Sequence, residues 1–331
     1  MKAMQFISPQ SMEHSPLRLR EMAIPALSNE DILIRVHACA ICHTDLHIIE
    51  GELPSKKSPL TPGHQIVGRV EKTGSNASPY SVGDRVGVPW LYWTCGECEF
   101  CKAGQENLCG RAKFTGYHVD GGYAEYIAAP AKFAYAIPPQ FADEEAAPLL
   151  CAGIIGFRAL RLSGIQRGGR LGLFGFGASA HIAIQVARRW DCEVFVFSRS
   201  SHHLRLAEQL GAVWTGSADQ VPSHLLDSAI SFAPAGELVP KGLKVLRKGG
   251  TLALAGIYMT PIPTFDYALL YDERTIRSVA NSTRQDAMDF LKVAGEIPIK
   301  TEVKIFPLED ANQALQMLKA GKFQGAGTLR I

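Results

Sequence analysis

Two rhythms of hydrophobic and polar positions divide the chain near residue 150. Upstream, the short apolar runs Asp31 to His37, Gln65 to Lys72 and Gly83 to Val88 are broken by Gly and Pro, which predicts the strands of a compact, barrel-like domain. Downstream, apolar runs alternate with stretches of helical periodicity. Arg170 to Phe174 reads as a strand, Ala178 to Trp190 as a helix, Glu193 to Phe197 as a second strand and Leu204 to Leu210 as a second helix. Asp227 to Ser231 and Thr251 to Ala255 continue the alternation around a helix at Glu237 to Leu246. Strand, helix and strand in succession predict a doubly wound parallel sheet covered on both faces. From about Asp286 to Ile331 the pattern returns to helix and strand that can pack on the first domain. The expected organisation is therefore residues 1–150, a nucleotide-type domain at 151–285, and a return to the first domain over 286–331.

The turn Gly175-Phe176-Gly177-Ala178-Ser179-Ala180 lies between the first predicted strand of the second domain and its first helix. Gly175 permits the tight turn, Gly177 lets backbone approach a pyrophosphate, and Ala180 stands where helix and strand pack closely; the helix N-terminus adds amide donors. This is a dinucleotide-binding arrangement, with a plain structural turn as the alternative. At the end of the second strand an Asp or Glu would bind the ribose 2′-hydroxyl of NAD. This chain has Ser198-Arg199-Ser200, with His202 and His203 close by. A hydroxyl followed by a guanidinium suits the 2′-phosphate of NADP(H), whereas a merely solvated Arg199 would leave either cofactor acceptable.

A chain of 331 residues is long enough for two cores. A formal charge of +2 with dispersed Lys and Arg gives no reason to expect nucleic acid or membrane as a partner. The N-terminal residues lack the apolar run of a signal peptide and no stretch is expected to span a bilayer, so the expected location is cytoplasmic. In that reducing setting eight cysteines favour metal ligation over disulfides. Cys95, Cys98, Cys101 and Cys109 have the spacing of a closed tetrathiolate zinc site, which braces a loop and leaves no open position. Cys42, His64 and Cys151 are ligand types that together would form a three-donor zinc site with its fourth position open. Cys39, in an apolar run, and Cys192 read as core residues.

The chain resembles the zinc-dependent medium-chain alcohol dehydrogenases of bacterial type. The resemblance rests on C-H-T-D-L-H at Cys42, P-G-H at His64, the four-cysteine lobe, D-G-G-Y-A-E-Y at Asp120, C-A-G at Cys151, the glycine turn and R-K-G-G-T-L near Arg247. It implies a GroES-like, mainly β catalytic domain and a Rossmann nucleotide domain, two Zn²⁺ per chain, and a homodimer or homotetramer to which Thr251 to Ile257 could contribute. It also implies that Cys42, His64 and Cys151 hold the catalytic zinc, that Thr44 and His47 carry the alcohol proton to solvent, and that His43 faces the cofactor pyrophosphate. Trp90 and Leu53 would line the substrate pocket, Leu53 standing where related enzymes often have Trp. Gln65 and Ala326 depart from a Glu and an Arg that pair behind the zinc in many members. The expected activity is hydride transfer between an alcohol, or in reverse an aldehyde or ketone, and NADP(H). Alternatives are an NAD-linked polyol or formaldehyde dehydrogenase and a metal- and nucleotide-binding sensor without turnover.

Overall fold

A computed structural model describes residues 1–331, which form two compact units. The first comprises Met1–Cys151, Ser282–Glu296 and Lys300–Ile331; the second comprises Ala152–Asn281 and Ile297–Ile299. The return to the first unit thus begins at Ser282 instead of 286, and Cys151 falls with the first unit.

The first unit is built on a seven-stranded sheet. Its path runs Val303–Pro307, Ala326–Arg330, Asp31–Ala40, Ile66–Thr73, Arg85–Val88 and Tyr135–Ala136, with Tyr126–Pro130 also paired to Asp31–Ala40. Only the first two strands pair in parallel; the remaining pairs are antiparallel. In Asp31–Ala40 the period of two is visible, since Ile34, Val36 and Ala38 are buried while Arg35 is exposed. The strand continues three residues beyond His37 because Ala38, Cys39 and Ala40 pair with Ala326–Arg330, and Ala38 and Cys39 also with Ile66–Thr73. Cys39 is fully buried there.

The second unit is a six-stranded parallel sheet in the order Trp214–Gly216, Glu193–Phe197, Arg170–Phe174, Leu226–Ser231, Leu246–Leu254 and Thr275–Ser278. Burial is nearly continuous along Arg170–Phe174 and Glu193–Phe197, as expected for strands covered on both faces. Phe174 and Phe197 stack at 4.2 Å between centroids, so the register of these neighbouring strands is held by an aromatic pair as well as by the ladder. Strand order reverses beside Arg170–Phe174, the place where parallel sheets of this kind open a crevice for ligands.

One expectation is corrected. The run Asp143–Ser163 is long and apolar enough to cross a bilayer by length and composition, but 72% of its 18-residue apolar window is buried inside the protein, where those side chains are core. Within Thr251 to Ile257, Leu252 and Ala253 are fully buried in a strand paired on both sides, and Ile257 reaches the surface.

Candidate metal centre and nucleotide turn

Cys42 has extended backbone and stands at the N-terminus of the helix His43–Ile49. His64 lies on the loop before strand Ile66–Thr73, and Cys151 follows the short helical turns at 143–150. These three residues, distant in sequence, bring their ligand atoms within 4.8 Å of one another. His64 is fully buried and its Nε2 has no hydrogen-bond partner, whereas its Nδ1 lies 3.1 Å from Asp45 Oδ1. A buried imidazole nitrogen that faces only sulfurs, its other nitrogen held by a carboxylate, has the setting of a metal ligand. The donor set, two sulfurs and one nitrogen, fits a zinc ion with one position left open.

The protonation pattern shows what a metal must displace. A hydrogen bond with Cys151 holds Cys42 well below the ordinary thiol range, against the effect of burial and with help from His64. The same bond, together with burial, pushes Cys151 well up. Burial opposes charge on His64, but Asp45 and the Cys42 sulfur outweigh it and raise the imidazole to about 10. A metal ion that binds here must displace the proton this raised imidazole holds. Ligation would exchange it for the ion.

Asp45 organises this site. It is fully buried, and its carboxylate receives the backbone N–H of Cys42 at 2.8 Å, the N–H of Gly63 at 3.2 Å, His64 Nδ1 at 3.1 Å and the Tyr123 hydroxyl at 3.0 Å. One side chain thus fixes the helix that carries Cys42 and the loop that carries His64. Tyr123 closes this arrangement by packing on the loop: a Cβ at Gly63, where φ is +96°, would lie 2.3 Å from Tyr123 Cδ1. Only glycine tolerates both that φ and that contact. Neither Asp45 nor Tyr123 is singled out by sequence reasoning. Their signal is a carboxylate three residues after a ligand cysteine and an aromatic hydroxyl in G-G-Y, readable only once these loops are known to meet.

The four-cysteine lobe also assembles. All four sulfurs lie within 4.8 Å, with Cys95 to Cys101 at 3.8 Å and Cys95 to Cys109 at 3.5 Å. A tetrahedron with Zn–S bonds of about 2.3 Å has edges of about 3.8 Å, so the spacing is that of thiolates around one ion. Backbone amides of Glu97 and Cys98, with Arg111, pull Cys95 down to about 5, while burial and its cysteine neighbours push Cys101 up to about 11. The lobe is pinned through Glu106, nearly buried, whose carboxylate takes the backbone N–H, Nε and Nη2 of Arg284.

Thr44 is buried with its hydroxyl 3.7 Å from Cys42 Sγ, and His47 lies one turn further along the same helix face. His43 is exposed in the first turn of that helix. Trp90 is buried edge-on to His64 at 4.9 Å and stacks on Phe114 and Tyr117, forming an apolar wall beside the ligand. Leu53 is half-buried against the core of the first unit, its N–H bonded to the His47 carbonyl. Gln65 is buried with Oε1 unpartnered, and Ala326 is buried at the start of its strand. Ala40 donates to the Gln65 carbonyl and Ile41 to the Gly327 carbonyl, so one strand end separates the two positions.

In the second unit Gly175 has φ +83° and a Cβ there would meet Ala233 at 3.0 Å, so the turn needs glycine. Gly177 stands in open space at the N-terminus of the helix Ala178–Arg189, as close approach of a phosphate requires. Phe176 points its ring into the interior, so it offers a ligand backbone only. Ser198 and Arg199 follow the strand Glu193–Phe197, Arg199 exposed. Ser198 Oγ accepts the Ser200 N–H, and Ser200 Oγ accepts the His203 N–H as an N-cap. His181 is unexpected: it is buried in the second turn of the first helix with both ring nitrogens unpartnered, and burial lowers it to about 4.

A GroES-like unit with an open two-sulfur, one-nitrogen centre and a closed four-sulfur lobe, joined to a Rossmann-like unit, defines a zinc-binding dehydrogenase. The family profile described as the alcohol dehydrogenase GroES-like domain matches residues 28–139, and that described as zinc-binding dehydrogenase matches 178–295. The chain is 44% identical over 337 residues to the probable alcohol dehydrogenase AdhA of Mycobacterium tuberculosis, covering 100% of this chain and 97% of that one. It is 37% identical to an alcohol dehydrogenase of Geobacillus stearothermophilus, with 96% of each covered. Among solved structures it resembles a cinnamyl alcohol dehydrogenase of Sorghum bicolor (TM-score 0.91, 25% identity, 100% and 98% covered) and the Helicobacter pylori CAD complexed with NADP(H) (TM-score 0.88, 25% identity, 99% and 97% covered). The chain belongs to the zinc-dependent medium-chain alcohol dehydrogenase family.

Proposed function

We propose that the chain is an NADP(H)-preferring alcohol dehydrogenase and aldehyde reductase acting on small primary or secondary alcohols and the corresponding carbonyls. The observation that carries this reading is the convergence of Cys42, His64 and Cys151 around an orphaned His64 Nε2. Bound there, zinc supplies Lewis acidity to the substrate oxygen, and a nicotinamide supplies or accepts hydride. The protein does the rest. Cys42, His64 and Cys151 would hold the ion, and Asp45 keeps two of them in place. Thr44, beside Cys42, takes the hydroxyl proton of the substrate, and His47 passes it outward. Trp90 excludes water on the side of His64.

NADP(H) preference is supported by Ser198 and Arg199 in place of a carboxylate, and by Lys241, a second cation within electrostatic reach of Arg199. A homo-oligomer is supported by the outermost strand Thr275–Ser278, with one edge open, and by the exposed rings of Tyr267 and Tyr271. The test is a comparison of kcat/KM for both cofactors over a panel of alcohols and aldehydes. Arg199→Ala is expected to weaken NADP(H) about 10- to 100-fold, the worth of one hydrogen bond to a charged group, and Ser198→Asp to shift preference toward NAD(H). Equal or better use of NAD(H) by the unmodified protein contradicts the cofactor assignment.

A further inference from the structure

The His47 imidazole has a built partner on its outer side. Nδ1 is hydrogen-bonded to the carboxylate of Glu52, five residues along the chain. The segment between them is folded back on the helix: the Gly51 N–H bonds the Ile48 carbonyl, and the Leu53 N–H bonds the His47 carbonyl at 3.0 Å. Glu52 is therefore held against His47 by backbone on both sides. The environments of the two side chains differ, His47 being 14% and Glu52 44% exposed. This is a step from interior to solvent within one contact.

A second carboxylate, Glu50, lies within electrostatic reach of His47. It is already engaged by Lys319 Nζ at 2.7 Å and the Met12 N–H at 2.8 Å. Lys319 also senses Glu52 and Glu13 electrostatically. Glu50 is thus neutralised by a lysine and an amide, while Glu52 is the carboxylate that meets the imidazole itself.

We propose that Glu52 is the outward positioning residue of the proton relay. By accepting the hydrogen on Nδ1 it selects one tautomer of His47, which makes Nε2 the nitrogen that receives the substrate proton. During alcohol oxidation the proton released through Thr44 adds to Nε2. Nδ1 keeps its hydrogen, the cation formed is faced by the Glu52 carboxylate, and the added proton then leaves Nε2 for a water molecule or buffer base. In aldehyde reduction the same proton enters by the reverse path. This inference rests on the reading of Thr44 and His47 as the relay.

The experiment uses the zinc-loaded, full-length protein, labelled with ¹⁵N-histidine, and the variants Glu52→Ala, Glu52→Gln and His47→Gln. Two-bond ¹H–¹⁵N correlation, with His47 assigned by its absence from the His47→Gln spectrum, is expected to show the neutral ring protonated on Nδ1. In Glu52→Ala the ring should revert to a mixture dominated by Nε2–H. Turnover of alcohol should fall about tenfold in Glu52→Ala with KM unchanged, a part of the roughly 10²- to 10⁴-fold that a positioned proton acceptor contributes. High concentrations of imidazole buffer should restore the loss. Glu52→Gln, which can still accept from Nδ1 but has no charge, should lie between. In the His47→Gln background Glu52→Ala should have no further effect. Nε2-protonated His47 in the unmodified protein, or an independent loss from Glu52→Ala on top of an impaired His47→Gln, overturns this inference alone. Undiminished turnover in His47→Gln overturns the relay and the inference with it.

Discussion

Replacing Asp45 by Asn tests how much of the metal centre depends on a residue that touches no metal. The carboxylate accepts from four donors, Cys42 N, Gly63 N, His64 Nδ1 and Tyr123 Oη. An asparagine offers one oxygen with two acceptor positions and turns an amide N–H₂ toward the remaining donors. About two of the four bonds are lost, each worth about 1.5–3 kcal/mol to a charged group. Part of that loss falls on folding and part on the geometry of the ligands. Partners of metal ligands typically set about 10- to 100-fold in metal affinity, equivalent to about 1.4–2.8 kcal/mol. A counter-effect must be included. Asp45 is one cause of the rise of His64 to about 10, so its removal also lightens proton competition with the metal. The affinity loss should therefore be largest near pH 9 and narrower at pH 7. Competition with a chromophoric chelator measures this directly, and the four-cysteine lobe, whose sulfurs Asp45 does not reach, serves as an internal reference. One zinc equivalent should leave Asp45→Asn at chelator concentrations that strip neither site of the unmodified protein. Equal retention of both equivalents at pH 9, or equal loss of both, refutes the reasoning.

Two further outcomes follow from the same geometry. Cys98→Ser should lose the lobe zinc and lower the thermal midpoint by about 5 °C or more, whereas Cys42→Ser should abolish turnover with little change in the midpoint; scanning calorimetry with metal analysis checks both, and an unchanged midpoint in metal-depleted Cys98→Ser rules out a bracing role. Zinc affinity at the three-donor site should fall as pH falls, because His64 is raised to about 10 and the Cys151 thiol well up, so both must give up a proton on ligation. Displacing two protons gives up to about a hundredfold change per pH unit between pH 6 and 9, and a pH-independent affinity contradicts this protonation pattern.

Elements whose burial is uniform were the most legible in the sequence. Arg170–Phe174 and Glu193–Phe197 have the bounds expected from their apolar runs, since both faces of each are covered and nothing competes with that signal. The helix read at Leu204 to Leu210 in fact begins at Ser201, because the side chain of Ser200 caps it. Ligand types at Cys42, His64 and Cys151 were legible because sulfur and imidazole are scarce and their motifs are specific. Their supports were not. Asp45 draws its donors from positions 42, 63, 64 and 123, and Glu52 matters only because the loop at 51–53 folds back on its helix. A carboxylate in a sequence does not state which amides or rings will surround it. That information resides in the packing of loops, as at Gly63 against Tyr123.

The same distinction governs Gln65. With two thiolates and a neutral imidazole, a bound zinc is electrically balanced, and Asp45 adds one negative charge behind His64. A Glu at position 65 would add a second, and the strand end Ala40–Ile41 separates that position from Ala326, which offers no cation in return. Two buried carboxylates behind one neutral centre would repel each other and oppose ionisation of the substrate oxygen. A neutral amide removes that charge but leaves Oε1 buried without a partner. The cost of one unsatisfied acceptor, about 1–3 kcal/mol, is smaller than that of an unpaired buried charge. Gln65 and Ala326 therefore form a self-consistent pair, and in this chain the electrostatic support of the metal ligands falls on Asp45.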